Sequence, residues 1–206
     1  MASLRFSSTV SYDSDLMVPI PYYPGLRVPP GVPAREPIAI SFGEMSRLAP
    51  DKFPAPAGLT VPTKISAKLT GPWKQSGNTP ATWQFQGGDL QLAVNVAVYI
   101  IDKYRPVPKL FEMILSHELL HVQDDIDIVT QYLPEELPGD EYVKKYLIDQ
   151  KPVDDAMYRN WFIEDRFSKY VRDIWVLERN RRGGGRDSGP VYDHYKLEIA
   201  KLLPKI

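Results

Sequence analysis

Two of the three histidines in the chain stand four residues apart, and a glutamate directly follows the first, in the run His117-Glu118-Leu119-Leu120-His121. Residues i and i+4 lie on one face of a helix, so both imidazoles can reach a single metal ion. Glu118 then lies beside that ion, where its carboxylate can take a proton from a bound water molecule. Chance would place about 0.002 such patterns in a chain of this composition. The run therefore predicts a metal site with a catalytic base.

The residues around this run have the pattern of an amphipathic helix. Apolar residues recur at steps of three and four from Lys109 to about Val129. The run Pro106-Val107-Pro108 suits the start of a helix, and Pro134 and Pro138-Gly139 end the pattern. We therefore expect one helix to carry both histidines on the same face.

Strand patterns dominate the first half of the chain and helical patterns the second half. Strands are predicted over 4–12, 37–42, 59–69 and 90–101, and helices over 140–147, 153–179 and after Tyr192, with a flexible glycine-rich loop at 181–186. This order predicts an α+β fold. A strand-rich, proline-rich part with a small sheet would pack on a C-terminal helical half that carries the histidine helix. We expect a single domain over 1–206, with the proline-rich portion at 1–80 and the core at 81–206.

Composition excludes several classes of function. The chain has 206 residues, 43% of them hydrophobic, a net charge of −1 and no cysteine. A balanced charge argues against nucleic acid as a partner, and the absence of cysteine excludes thiolate metal sites and cysteine nucleophiles. No apolar run is long enough for a membrane span. No signal-peptide pattern is visible at the N-terminus, so we expect a cytoplasmic protein or one exported without such a signal.

Proline and acidic residues are unevenly distributed. Thirteen of the 20 prolines lie in the first 80 residues, and the segment 19–37 is too proline-dense for a helix or a central strand. This segment is interpreted as an ordered surface coil or, alternatively, as a binding arm. Residues 111–155 carry an excess of nine acidic side chains, in the region that also holds the histidine pair.

A catalytic zinc ion takes three protein ligands, so the histidine pair needs one more. Glu164 interrupts a mostly apolar stripe formed by Met157, Trp161, Ser168 and Val171 in the predicted helix 153–179. A buried carboxylate is costly unless it is paired or bound to a metal. Glu164 is therefore a candidate third ligand, and a salt bridge is the alternative.

The HExxH run resembles the zincins, a group of zinc metallopeptidases, and the order of strands before the motif helix resembles their fold. The resemblance implies that His117 and His121 bind Zn²⁺ and that Glu118 is the general base. It also implies that the strand over 90–101 is the edge strand along which an extended substrate lies.

The resemblance leaves the third ligand open. Metzincins extend the motif to HExxHxxGxxH or HExxHxxGxxD, and Asp127 stands at the last position of that pattern. Asp124 replaces the glycine of the pattern, and this difference favours a gluzincin-like site. Glu141 has the spacing of thermolysin-like enzymes, and gluzincins in general take the ligand from a later helix, as Glu164 would provide. His194, the third histidine, is a further candidate.

Zincins also use a later tyrosine or histidine to stabilise the oxyanion, and Tyr192 and His194 are the candidates here, with surface aromatics as the alternative. Asp124 and Asp125, one turn beyond His121, are candidates to hold a ligand imidazole by its second nitrogen, or form a solvated acidic face.

The leading functional hypothesis is a zinc-dependent endopeptidase acting on a peptide or protein. The alternatives are a non-catalytic zincin-like binding or structural module, and a metal hydrolase that acts on another amide. The sequence leaves the specificity and the oligomeric state open.

Overall fold

A computed structural model describes residues 3–12, 24–33, 35–51, 56–77 and 80–203. About 51% of the chain is helical and 27% is strand, which confirms the α+β class. The strands are β1 Leu4–Tyr12, β2 Ile38–Ile40, β3 Gly58–Thr70, β4 Trp73–Ser76, β5 Thr82–Phe85, β6 Gly88–Ile101 and β7 Val153–Asp154. The α-helices are α1 Phe42–Leu48, α2 Pro108–Asp127, α3 Leu133–Glu136, α4 Asp155–Tyr158, α5 Arg166–Arg186 and α6 Gly189–Leu202.

The chain forms two compact units, each assembled from separate stretches of sequence. The first unit comprises Met1–Val10, Lys64–Val94 and Asp127–Arg179, and the second comprises Ser11–Thr63, Asn95–Ile126 and Asn180–Ile206. The prediction of a single domain divided near residue 80 stays a prediction.

The first unit contains an antiparallel sheet in the order β4, β5, β7. Trp73 of β4 pairs with Phe85 of β5, and Trp83 of β5 pairs with Val153 of β7. The Trp83 ring stacks on Tyr158 of α4 at a centroid distance of 4.2 Å. Large ring surfaces thus supply much of the packing in this small sheet.

The second unit carries the histidine helix. Here β2 pairs in parallel with the end of β6, with Ile38 opposite Tyr99 and Ile40 opposite Ile101. The α2 helix begins at Pro108, as the sequence predicts, and buries apolar residues at steps of three and four, among them Ile114, Leu115 and Leu119. The predicted helix is therefore confirmed, and a π-helical turn, Ile128–Tyr132, continues it.

The predicted strands over 4–12, 59–69 and 90–101 are confirmed, but the edge position of the last one is wrong. β6 pairs with β1, β2 and β3, so strands flank it. Consecutive residues such as Val96, Ala97 and Val98 are fully buried. Burial of both faces is typical of a central strand, which cannot offer its backbone to a substrate.

The predicted helix over 153–179 is interrupted. Its first two residues, Val153–Asp154, are strand. The helix α4 follows and continues as a π-helical turn, Arg159–Ile163. The chain then turns at Glu164 and Asp165 before α5 begins. Asp165 has a φ of 58°, in the left-handed region, which breaks the helical path. The stripe therefore does not continue in phase, and Glu164 is exposed instead of buried.

Two other segments differ in detail. The segment 181–186, predicted as a flexible loop, forms the last turns of α5, and the final helix α6 begins at Gly189, slightly earlier than predicted. The predicted helix over 140–147 is largely a π-helical turn, Val143–Ile148. Of the proline-rich segment, residues 19–23 and 34 lie outside the described residues, and residues 24–33 form turns and irregular chain.

Within the described ranges, no helix combines the length and the apolar character needed to cross a membrane.

Candidate metal centre

Three side chains of the second unit bring their donor atoms together. His117 Nε2 lies 3.1 Å and His121 Nε2 lies 3.2 Å from the same Oδ1 atom of Asp187, and the two Nε2 atoms are 3.3 Å apart. Both imidazoles are largely buried, with 13% and 14% of the side chain exposed, and Asp187 is 31% exposed. Among the described residues this is the group of three donors that could hold a metal ion.

The spacing of these donors is compatible with a bound metal ion as well as with hydrogen bonds between the side chains. Each Nε2 either carries a proton or accepts one, so at most two sides of the triangle can be good hydrogen bonds. A tetrahedral ion with bonds of about 2.0–2.1 Å needs donor atoms about 3.3–3.4 Å apart. The observed distances are within about 0.3 Å of that value, so two imidazoles and one carboxylate could hold Zn²⁺.

Asp187 occupies the turn between α5 and α6. Its backbone N–H donates to the Gly183 carbonyl at 2.9 Å, which extends the hydrogen bonding of α5 by one residue. The preceding residue, Arg186, donates from Nε and Nη2 to the two carboxylate oxygens of Asp124, each at 2.8 Å. Asp124 thus holds an arginine, rather than the ligand imidazole that the sequence suggested.

Glu118 is buried beside the histidine pair. Its Oε2 accepts a hydrogen bond of 2.8 Å from the Thr60 hydroxyl on β3, and 5% of the residue is exposed. Burial raises the pKa of Glu118, whereas the charges of His121 and His117 and the Thr60 hydrogen bond lower it. A carboxylate with a raised pKa accepts a proton more readily near neutral pH, as a general base requires.

The close approach of β3 to α2 at this point depends on Gly58. A Cβ placed at Gly58 would lie 2.7 Å from Ile114 Cγ2 and 2.8 Å from Glu118 Oε1, so no side chain fits without a shift. The glycine therefore allows Thr60, two residues along the strand, to reach the Glu118 carboxylate.

Two tyrosines of α6 pack against His117. The Tyr195 and Tyr192 rings lie 4.7 Å and 5.4 Å from the imidazole, at angles of 23° and 30°. Burial raises the pKa of Tyr195, and the charges of Glu118 and Asp187 raise it further, so its phenol stays protonated and can donate. His194 is exposed, on the rim of the neighbouring cavity.

The structure places the other predicted ligands elsewhere. Glu164 and Glu141 are exposed residues of the first unit, and Asp127 is the last residue of α2, in the same unit. Asp187 was missed because no motif spacing points to it, and the neighbouring glycines suggested a linker. Tyr195 was missed although its spacing of three from Tyr192 would place both rings on one helix face.

A cavity of about 1040 Å³ opens beside His117. One side is α2 between Lys109 and Leu120, another is the α6 face with both tyrosines, and a third is the irregular segment Gly25–Pro30. The Arg27 backbone N–H donates to Ser116 Oγ at 3.0 Å and fixes this segment against α2. The cavity therefore reaches the candidate metal centre at His117.

Comparison with protein-family models, with curated proteins and with solved structures yields no match for this chain.

Proposed function

We propose that this protein is a zinc-dependent hydrolase, and more specifically an endopeptidase. His117, His121 and Asp187 hold the metal in this proposal, and Glu118 is the general base. The observation that carries it is the convergence of three donor atoms, 3.1–3.3 Å apart, next to a buried glutamate.

The chain supplies the remaining groups that hydrolysis requires. Zinc, when bound, contributes a Lewis acid that acidifies water and polarises a carbonyl. Glu118 accepts the proton of the attacking water, and the Thr60 hydroxyl keeps its carboxylate in place. Tyr195 and Tyr192, whose rings stack on His117, are the candidate phenol donors that stabilise an oxyanion in this proposal.

The shape of the cleft favours an extended peptide as the substrate. Lys109 and His117 both line it and are eight residues apart on α2, which corresponds to about 12 Å along the helix. Extended chain rises about 3.3 Å per residue, so three to four residues of a peptide fit on this side of the metal.

The test combines metal content with hydrolysis by the purified full chain. Elemental analysis should give one zinc per chain, and labelled casein should be cleaved in a chelator-sensitive manner. Glu118→Gln should retain the zinc, because Glu118 is not a ligand, and should lose about 10²–10⁴-fold in rate, as expected for loss of a general base.

Each outcome separates the hypotheses. Less than a few tenths of a zinc per chain contradicts the metal centre. One zinc without cleavage of casein or of a peptide library contradicts the endopeptidase, and leaves the non-catalytic module and a hydrolase of another amide. Cleavage by Glu118→Gln at the parental rate contradicts the assigned mechanism.

A further inference from the structure

The third ligand lies at the end of a helix that is intrinsically weak. Gly183, Gly184 and Gly185 lie in the last turn of α5, directly before Arg186 and Asp187. Glycine in a helix interior costs about 1 kcal/mol relative to alanine. A Cβ at any of the three would meet no other residue within 4 Å, so this stretch has no side chains of its own to anchor it.

The side-chain contact that links the end of this stretch to α2 is the ion pair between Arg186 and Asp124. Both hydrogen bonds are 2.8 Å long, and the Asp124 side chain is only 7% exposed. A bidentate arginine–carboxylate pair fixes orientation as well as distance, because two parallel N–H···O bonds hold the planar guanidinium and the carboxylate in line with each other.

Asp124 lies on the same helix as the histidine pair. It follows His121 by three residues and His117 by seven, so all three side chains project from one face of α2. That face of α2 therefore presents the two histidine ligands. It also presents the Asp124 carboxylate, which binds Arg186, the neighbour of the third ligand.

We infer that Asp124 and Arg186 are positioning residues that place Asp187 against His117 and His121. The inference depends on the proposed metal centre and adds how its third ligand is held. Without the pair, the glycine turns would fray and the Asp187 carboxylate would sample many positions, so zinc binding would have to order the turn. With the Arg186–Asp124 pair, the three donor atoms are already close together before zinc binds.

The test is a double-mutant cycle on zinc affinity in the full chain. Arg186→Gln and Asp124→Asn should each weaken zinc binding about 10–100-fold, measured by competition with a chromogenic chelator, as residues that orient metal ligands do. Arg186→Gln should cost little further affinity once Asp187→Asn is present, because the arginine acts through Asp187. Arg186→Lys should recover only part of the loss, since a lysine cannot form both hydrogen bonds.

Cobalt provides a second measurement. The Co²⁺-substituted parent should show the visible absorption of a four-coordinate site, and Arg186→Gln should change its intensity or position. Arg105→Gln is the matched control, because it breaks an ion pair in the same unit, with Glu36, that includes none of the three candidate ligands. It should leave affinity and spectrum unchanged.

The results also separate this inference from the proposed function. If the parent binds no zinc, both fail. If the parent binds one zinc but Arg186→Gln keeps the parental affinity and spectrum, or weakens binding equally with and without Asp187, the positioning role is wrong and the metal centre stands. Thermal unfolding of each metal-free variant checks the fold, and Arg186→Lys decides the question if Arg186→Gln does not fold.

Discussion

Replacing Asp187 by asparagine tests whether this residue is the third zinc ligand. Asp187 provides one of three converging donors and the only carboxylate in the group, so its loss should weaken zinc binding by at least about 100-fold, the upper range for residues that merely orient ligands. At a zinc concentration 100 times the parental Kd, binding stabilises the parent by about 2.7 kcal/mol. A 100-fold weaker variant is then half-saturated and gains only about 0.4 kcal/mol.

The difference of about 2.3 kcal/mol corresponds to a Tm lower by about 5–9 °C for a chain of this length. Scanning fluorimetry with and without zinc measures this difference in Tm. In the presence of a chelator the difference between the parent and Asp187→Asn should vanish. Asp193→Asn is the control, since it removes the same charge from an exposed position on α6. If Glu164→Gln abolishes the zinc-induced rise in Tm and Asp187→Asn retains it, the ligand assignment is refuted.

Three further substitutions probe the surroundings of the metal centre. Gly58→Ala should lower the free energy of unfolding by about 1–3 kcal/mol, as overpacking does. It should also reduce the rate of hydrolysis while zinc stays bound. An unchanged urea denaturation curve and an unchanged rate would argue against the close contact between β3 and α2. Tyr195→Phe should reduce kcat more than His194→Ala, because Tyr195 packs on His117 whereas His194 is exposed. If peptide assays give the reverse order, His194 is the better candidate for stabilising the oxyanion. Gly184→Ala should raise stability by about 1 kcal/mol in the same denaturation assay, and a loss would contradict the helical assignment of this stretch.

The parts of the molecule that sequence could predict are those set by local periodicity. The α2 helix follows from apolar residues at helical spacing and from Pro108 at its start, and these place His117 and His121 on one face. β1 and β6 follow from their β-branched and aromatic residues. Such patterns do not reveal pairing partners, so the position of β6 between other strands required the structure.

The prediction of one continuous helix over 153–179 was wrong for a different reason. The sequence continues with acceptable helix formers through Glu164, and only the left-handed conformation of Asp165 interrupts it. A single aspartate in that conformation carries no sequence signal as strong as a glycine would. The stripe argument for Glu164 assumed an unbroken helix, and it failed with that assumption.

Asp187 could not be found from the motif because 66 residues separate it from His121. Its position depends on where α5 ends, and three glycines would ordinarily predict an end before Arg186. The helix instead continues through Arg186, whose guanidinium engages Asp124 on α2. The local helix propensity of the glycines is low at this point, and a contact across 62 residues holds Arg186, the neighbour of Asp187.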